Sequence, residues 1–118
     1  MNIRQGDLYW LHASRPDGAD TGHAHPYVVI QDDLINQSRV TTVVVCALTS
    51  NPKRMNEPGN VRLEVGEANL TKPSVIVVSQ VETVDKTQLV DYIGSLSQER
   101  IAQIFAGMRF QQSSFYRS

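Results

Sequence analysis

Short apolar runs, separated by polar loops, dominate the chain as far as Leu96. The runs cover residues 8–11, 27–31, 41–48, 61–65 and 74–85, and they are rich in valine, isoleucine and threonine. Such runs favour β-strands, whereas the Gly-, Pro-, Asp- and Asn-rich segments 14–22 and 51–60 are typical of loops. Strands and helices do not alternate, so the pattern predicts an antiparallel sheet curled into a small barrel.

The individual runs differ in how they alternate. Residues 61–65 place Val61, Leu63 and Val65 between charged neighbours, which predicts a half-buried strand with these three side chains inward. The apolar run 41–48 predicts a strand that is buried on both faces, and residues 74–81 predict a central buried strand. Residues 32–38 begin with a capping aspartate and predict a loop with one helical turn.

The last element of the chain is a predicted helix. Ser97 is its expected N-cap, and Glu99 lies in the first turn, where the helix dipole favours a carboxylate. Apolar residues then recur at i, i+3, i+4 and i+7, forming one core-facing stripe of Ile101, Ile104, Phe105 and Met108. Gly107 is expected to weaken the helix end, and residues 111–118 form a polar tail.

Composition indicates one globular domain spanning residues 1–118. The 118 residues are 41% hydrophobic and 19% charged, with a net charge of −1 and a pI of about 6.3, which is weak support for nucleic-acid binding. The single cysteine, Cys46, lies within an apolar run and has no intrachain partner for a disulfide. No run approaches the roughly 20 residues of a membrane helix and the N-terminus lacks a signal-peptide core, so a cytoplasmic protein with no membrane partner is expected.

Most familiar catalytic signatures are absent from the sequence. It contains no phosphate-cradling glycine loop, no dinucleotide fingerprint, no Gly-x-Ser-x-Gly elbow and no zinc spacing. His23 and His25 could share a metal ion only with a third ligand from elsewhere, such as His12 or Asp20. The sequence therefore predicts no cofactor and no metal site.

A more promising pair is His25 and Thr49, each at one end of an apolar run and next to a long loop. Pro26 fixes its own φ and favours an extended His25, so the imidazole is expected at a rigid loop-to-strand junction. If the two strands are neighbours, a histidine that transfers protons near neutral pH meets a hydroxyl that can hold a phosphate oxygen. That combination suits metal-free phosphodiester cleavage. The alternative is that Thr49 and Ser50 only cap the end of the strand.

Several segments together resemble the MazF/PemK (Kid-like) family of toxin ribonucleases from type II toxin–antitoxin systems. The matching pieces cover nearly the whole chain from Arg4 to about Phe110, in the family's order and spacing. They are Gly6-Asp7-Leu8-Tyr9-Trp10, the segment 26–33 (PYVVIQDD), Ala47-Leu48-Thr49-Ser50, the segment 74–86 (SVIVVSQVETVDK) and Gly94-Ser95-Leu96.

The resemblance implies an SH3-like barrel of the CcdB/PemK type, mainly β, with a C-terminal helix, and usually a homodimer. It implies metal-independent cleavage of single-stranded RNA that leaves a 2′,3′-cyclic phosphate and a 5′-hydroxyl. The implied protein partner is an acidic cognate antitoxin whose flexible tail covers the RNA groove.

The resemblance also supplies the candidate site. It implies His25 and Thr49 as catalytic residues, although the family usually has Arg-Pro where this chain has His25-Pro26. The candidate substrate contacts are His23, Ser50, Gln80 and Glu82, and the family often has arginine in place of Glu82.

Two interpretations of His25 stay open, since it could replace the arginine as a general acid/base or mark an altered or lost activity. A non-enzymatic alternative is a CcdB-like toxin that inhibits a gyrase-type target by protein contact. In that class the C-terminal helix carries the binding.

Overall fold

A computed structural model of the chain describes residues 2–12 and 24–117, which form one sheet and a long C-terminal helix. The strands are β1 (Asp7–Leu11), β2 (His25–Val29), β3 (Thr42–Thr49), β4 (Val61–Leu63), β5 (Ser74–Asp85) and β6 (Asp91–Ser95). The helices are α1 (Asp33–Asn36) and α2 (Gln98–Arg117), and single 3-10 turns cover Pro52–Arg54, Glu67–Asn69 and Lys86–Gln88.

All neighbouring strands are antiparallel, in the order β4-β5-β3-β2-β1-β6. The pairs β1–β2, β2–β3 and β4–β5 are consecutive in the chain, whereas β3–β5 and β1–β6 join strands that are separated in sequence. The edge strands β4 and β6 are bridged by the segment 64–73, whose 3-10 turn packs on β6. The predicted antiparallel β fold with a C-terminal helix is confirmed.

Strand alternation sorts the apolar residues into two layers. One layer lies between the sheet and α2 and includes Leu8, Leu48 and Ile76 with Ile101 and Ile104 of the helix. The other layer lies on the opposite face of the sheet and consists of Ile3, Tyr9, Leu11, Tyr27, Val29, Val43, Val45, Ala47, Val84 and Leu89. Because successive side chains point to opposite faces, one strand contributes to both layers.

Helix α2 begins as predicted, because the Ser97 hydroxyl accepts a hydrogen bond from the backbone N–H of Arg100 at 3.2 Å. The helix continues through Arg117, so residues 111–117 of the polar tail are helical. Gly107 lies within the helix and not at its end. A Cβ on Gly107 would collide with the carbonyl oxygen of Gly59, so its lack of a side chain allows two backbone segments to touch.

Three further details differ from the sequence-based prediction. Strand β2 begins at His25 and ends at Val29, because the N–H groups of Ile30 and Gln31 both turn to one carbonyl on β3. Val65 is 59% exposed, because β4 ends at Leu63 and the chain turns at Gly66, which has a φ of +93°. Strand β6 was not predicted, since its mixed sequence DYIGS becomes a strand only by pairing with β1.

None of the helices in the described part of the chain is long and apolar enough to cross a membrane.

Candidate active site

His25 and Thr49 lie at adjacent strand ends. Strands β2 and β3 are antiparallel, and the last paired residues toward this end are Tyr27 and Ala47, so the first residue of β2 and the last residue of β3 lie at the same end of the two strands. Both residues line one cleft. Their catalytic roles stay predictions.

The hydroxyl of Thr49 is oriented by its own loop. Its Oγ1 accepts a hydrogen bond from the backbone N–H of Asn51 at 3.2 Å. A hydroxyl that accepts through one lone pair keeps its own proton for another acceptor. Within the described part of the chain that proton has no acceptor, and the imidazole of His25 has no hydrogen-bond partner, so both groups are available to a ligand.

A cleft of about 420 Å³ opens where these strands end. This volume falls within the range of about 300–1,000 Å³ that is usual for ligand clefts. The polar residues on its wall are His25, Thr49, Ser50, Asn69, Thr71, Lys72 and Ser74. The larger apolar residues are Trp10, Pro26, Leu48, Leu70 and Ile93. The indole of Trp10 is 43% exposed there, which gives the cleft an aromatic surface.

The far side of the cleft is built by residues 64–73, which we call the wall segment. Its Asn69 side chain donates to the carbonyl oxygen of Ile93 on β6 at 2.8 Å, and Leu70 is buried in the layer beneath α2. Ala68 and Asn69 have left-handed backbone conformations, with φ of 48° and 63°. Non-glycine residues in this region cost about 1–2 kcal/mol each and persist only where the surroundings impose them.

An ion pair ties the wall segment to the helix. Arg100 of α2 donates from Nε and Nη2 to the two carboxylate oxygens of Glu67, both at 2.9 Å. These hydrogen bonds hold the pKa of Glu67 below its usual range and raise that of Arg100. The segment is thus fixed to β6 on one side and to α2 on the other, which makes one wall of the cleft rigid.

Comparison with known proteins places this geometry in a family. The sequence profile of the PemK-like, MazF-like toxins of type II toxin–antitoxin systems matches residues 4–111. The chain belongs to the PemK/MazF-like toxin family. Endoribonuclease MazF6 of Mycobacterium tuberculosis and endoribonuclease MazF2 of Mycobacterium bovis are each 33% identical to it over 109 residues, which is 92% of this chain and 96% of theirs.

Solved MazF structures share the fold. MazF from Deinococcus radiodurans superposes with a TM-score of 0.75 at 17% identity, covering 96% of this chain and 98% of that one. A mycobacterial endoribonuclease in complex with its cognate antitoxin gives a TM-score of 0.74 at 20% identity, covering 94% and 95%. The resemblance to the MazF/PemK family inferred from the sequence is confirmed.

In this MazF-like chain the proposed substrate contacts are not all at one place. Ser50 is exposed on the cleft wall beside Thr49. Gln80 and Glu82 do not line the cleft, because Glu82 lies opposite Val45, seven positions along β5 from Val75, or about 20 Å at the rise of a strand. Their role as substrate contacts stays a prediction.

Glu82 and His23 are the remaining candidate residues. One carboxylate oxygen of Glu82 is buried without a hydrogen-bond partner in the described part of the chain. His23 lies outside the described residues. No group of three histidine, cysteine or acidic side chains that could hold a metal ion occurs among residues 2–12 and 24–117.

Sequence reasoning missed the wall segment. Asn69, Thr71 and Lys72 reach the cleft through the packing of a loop on β6, which no periodicity in residues 64–73 indicates. The only signals were Gly66 and Gly94, which permit the turn and the close approach of the two segments.

Proposed function

We propose that this protein is the toxin of a type II toxin–antitoxin system and a metal-independent endoribonuclease that cleaves single-stranded RNA at the cleft beside His25 and Thr49. The observation that supports the proposal is that His25 and Thr49, at adjacent ends of β2 and β3, both line that cleft. Family membership and the names of the endoribonuclease relatives support the same reaction class. Single-stranded RNA is a suitable substrate because its unstacked bases can be read individually.

The chemistry follows from the two side chains. As a base, the imidazole of His25 removes the proton of the ribose 2′-hydroxyl, and the 2′-oxygen then attacks the adjacent phosphorus. The bond from phosphorus to the 5′-oxygen breaks, and that oxygen takes a proton from a general acid. The products are a 2′,3′-cyclic phosphate and a 5′-hydroxyl, and no water is consumed.

Thr49 acts on the phosphate. Since its Oγ1 already accepts from Asn51, the hydroxyl proton can be donated to a non-bridging phosphate oxygen. Such a donor is most effective where negative charge develops in the transition state. The exposed Ser50 beside it is a second donor for the RNA backbone, and the exposed face of Trp10 offers a stacking surface for a base.

The partners follow from the family. The structural relatives include an endoribonuclease with its cognate antitoxin and a MazE–MazF complex. We propose that an acidic antitoxin covers the cleft of this chain, that the toxin is a homodimer, and that it acts in the cytoplasm on mRNA.

The decisive experiment is incubation of purified protein with mixed single-stranded RNA, followed by analysis of the new ends. His25→Ala is expected to abolish cleavage and growth inhibition while leaving the fold intact, since general acid–base catalysis contributes about 10²–10⁴-fold. Thr49→Ala should reduce the rate by a smaller factor. Thr42→Ala, at the other end of β3, is the matched control and should cleave normally.

Two further measurements separate the mechanism from its alternatives. Cleavage should survive EDTA, because no metal ion takes part in the proposed steps. His25→Arg should lose cleavage, because arginine stays protonated and cannot take the proton of the 2′-hydroxyl. Full cleavage by His25→Ala would refute the role of His25, and cleavage that stops with EDTA would refute the metal-free mechanism.

A further inference from the structure

Lys72 is the only charged side chain on the described wall of the cleft. We infer that its ammonium group binds the scissile phosphate and supplies the positive charge that the family usually places at the position of His25. This inference rests on the proposed cleavage of RNA. Lys72 would contact the substrate directly, and it comes from the wall segment, not from the strands that carry His25 and Thr49.

The reaction requires such a charge. Attack of the 2′-oxygen concentrates negative charge on the non-bridging phosphate oxygens, which a fixed cation stabilises more than it stabilises the substrate. A histidine that acts as the base is neutral before the attack, and a threonine hydroxyl offers only a dipole. A lysine ammonium binds phosphate as a point charge and needs no particular bidentate geometry.

The backbone of Lys72 is held close to the reacting groups. Its carbonyl oxygen accepts a hydrogen bond from the Ser74 hydroxyl at 3.1 Å, at the start of β5. Val75, the next residue of β5, lies directly opposite Thr49. On the other side of Lys72, Leu70 is buried and Asn69 is bonded to β6. The position from which the side chain projects is therefore fixed at the end of β3.

The ammonium group itself is uncommitted. In the part of the chain that the structure describes, Lys72 forms no ion pair and its side chain is exposed. Three other cations of the described chain are already paired or hydrogen-bonded, whereas the exposed Arg62 of β4, opposite Val75, is not among the residues that line the cleft. Arg100 is paired with Glu67, Arg54 with Glu57 at 2.7 Å, and Lys86 donates to the carbonyl oxygens of Asn36 and Ser38.

The test compares Lys72→Ala and Lys72→Arg with Lys53→Ala. Lys53 is an exposed lysine in the 3-10 turn after β3 that does not line the cleft, so its loss removes the same charge elsewhere. The binding probe is single-stranded 2′-fluoro RNA, which lacks the attacking hydroxyl, titrated at several KCl concentrations. Cleavage is measured separately with ordinary RNA, and thermal melting verifies that each variant is folded.

In the Lys72→Ala variant, the slope of log Kd against log salt should fall by about 0.7, the share of one phosphate contact on a single strand. The kcat/KM should fall about 10- to 100-fold, since hydrogen bonds to charged groups are the strong ones. Lys72→Arg should restore the slope and most of the rate. Lys53→Ala should leave both close to wild type.

The outcomes distinguish this inference from the proposed function. If wild type binds the 2′-fluoro RNA but leaves ordinary RNA intact, the proposed function fails, while the salt slopes still decide whether Lys72 holds a phosphate. An unchanged slope in Lys72→Ala would overturn the inference. An equal loss in Lys53→Ala would also overturn it, by showing only diffuse surface charge. A wild type that binds no RNA would overturn both.

Discussion

Gly94 connects the stability of the fold to the shape of the cleft, which makes Gly94→Ala a sharp perturbation. This glycine of β6 lies against the backbone of the wall segment. A Cβ added to it would lie 2.6 Å from the carbonyl carbon and 2.9 Å from the Cα of Ala68, inside the 3.0 Å that real Cβ atoms keep. No side chain can rotate away, so β6 or the wall segment has to move.

The magnitude follows from two opposing effects. Replacing glycine by alanine in a strand gains about 0.5–1 kcal/mol, because the unfolded chain loses freedom. Overpacking of a well-packed contact costs about 1–3 kcal/mol, and a clash with backbone belongs in the upper part of that range. The net destabilisation is about 1–2 kcal/mol, and at about 4 °C per kcal/mol for a domain of this size the melting temperature should fall by about 4–8 °C.

Gly107→Ala is the matched control. Its added Cβ would meet the backbone of Gly59 just as closely, and it gains a similar amount from helix propensity, about 1 kcal/mol. Gly107 and Gly59 are absent from the cleft wall. The two variants should therefore lose similar stability and differ in activity.

Thermal denaturation gives the melting temperature of each variant. RNA cleavage is then measured at a temperature where both variants are fully folded. Gly94→Ala should lose up to about 10²-fold in kcat/KM, because a shift of about 1 Å in a positioning element has that effect. Gly107→Ala should cleave like wild type. If Gly94→Ala has the melting temperature of the wild type, the close contact between Gly94 and Ala68 does not limit the size of the side chain at position 94. If it is destabilised but fully active, the wall segment does not position the substrate.

Two further predictions concern groups outside the cleft. Burial raises the pKa of the Cys46 thiol to about 12. The native protein should therefore resist a thiol reagent at pH 8 that modifies the urea-unfolded chain at once. Equal rates of modification in the two states would contradict the burial of Cys46. Since Arg100 lowers the pKa of Glu67 below its usual 4.5, the ion pair stabilises the fold above that value and loses its effect as the pH falls through the lowered pKa. Glu67→Gln should reduce the free energy of unfolding by about 0.5–1 kcal/mol at pH 7. Chemical denaturation at several pH values should show this difference shrinking below about pH 4. A difference that stays constant would exclude ion pairing as its cause.

The elements that carry their own periodicity could be predicted from the sequence. Strand β3 and the first half of β5 are apolar runs, and the stripe from Ile101 to Met108 marks the buried face of α2. The second half of β5 was predicted to be buried as far as Val81, but Ser79 and Val81 are exposed there. Strand β6 could not be predicted in this way, because Asp91 and Tyr92 face solvent and the strand exists only through its pairing with β1. The prediction that Val65 faces inward was wrong for the opposite reason. The apolar alternation in the sequence continues past Leu63, whereas the chain turns away from β5 there.

The residues of the candidate site likewise differ in whether the sequence could predict their position. His25 and Thr49 flank apolar runs, so the prediction of neighbouring strands was enough to place both at one cleft. Lys72 and Asn69 are brought to the cleft by a loop in left-handed conformation that is bonded to β6, an element absent from the predicted fold. Distances across a folded loop depend on tertiary packing, which propensity and periodicity do not encode.

The pairing of β1 with β6 joins the first and the last strand along the chain. Ser95 donates to Asp7 across 88 positions at 2.6 Å, and the wall segment rests on β6 through Ile93 and Gly94. Contacts of such sequence separation form late, because a long loop has to close before they contribute. A nascent chain therefore cannot complete its cleft until β6 has left the ribosome. The sheet order thereby delays any RNA cleavage at this cleft until β6 has been translated.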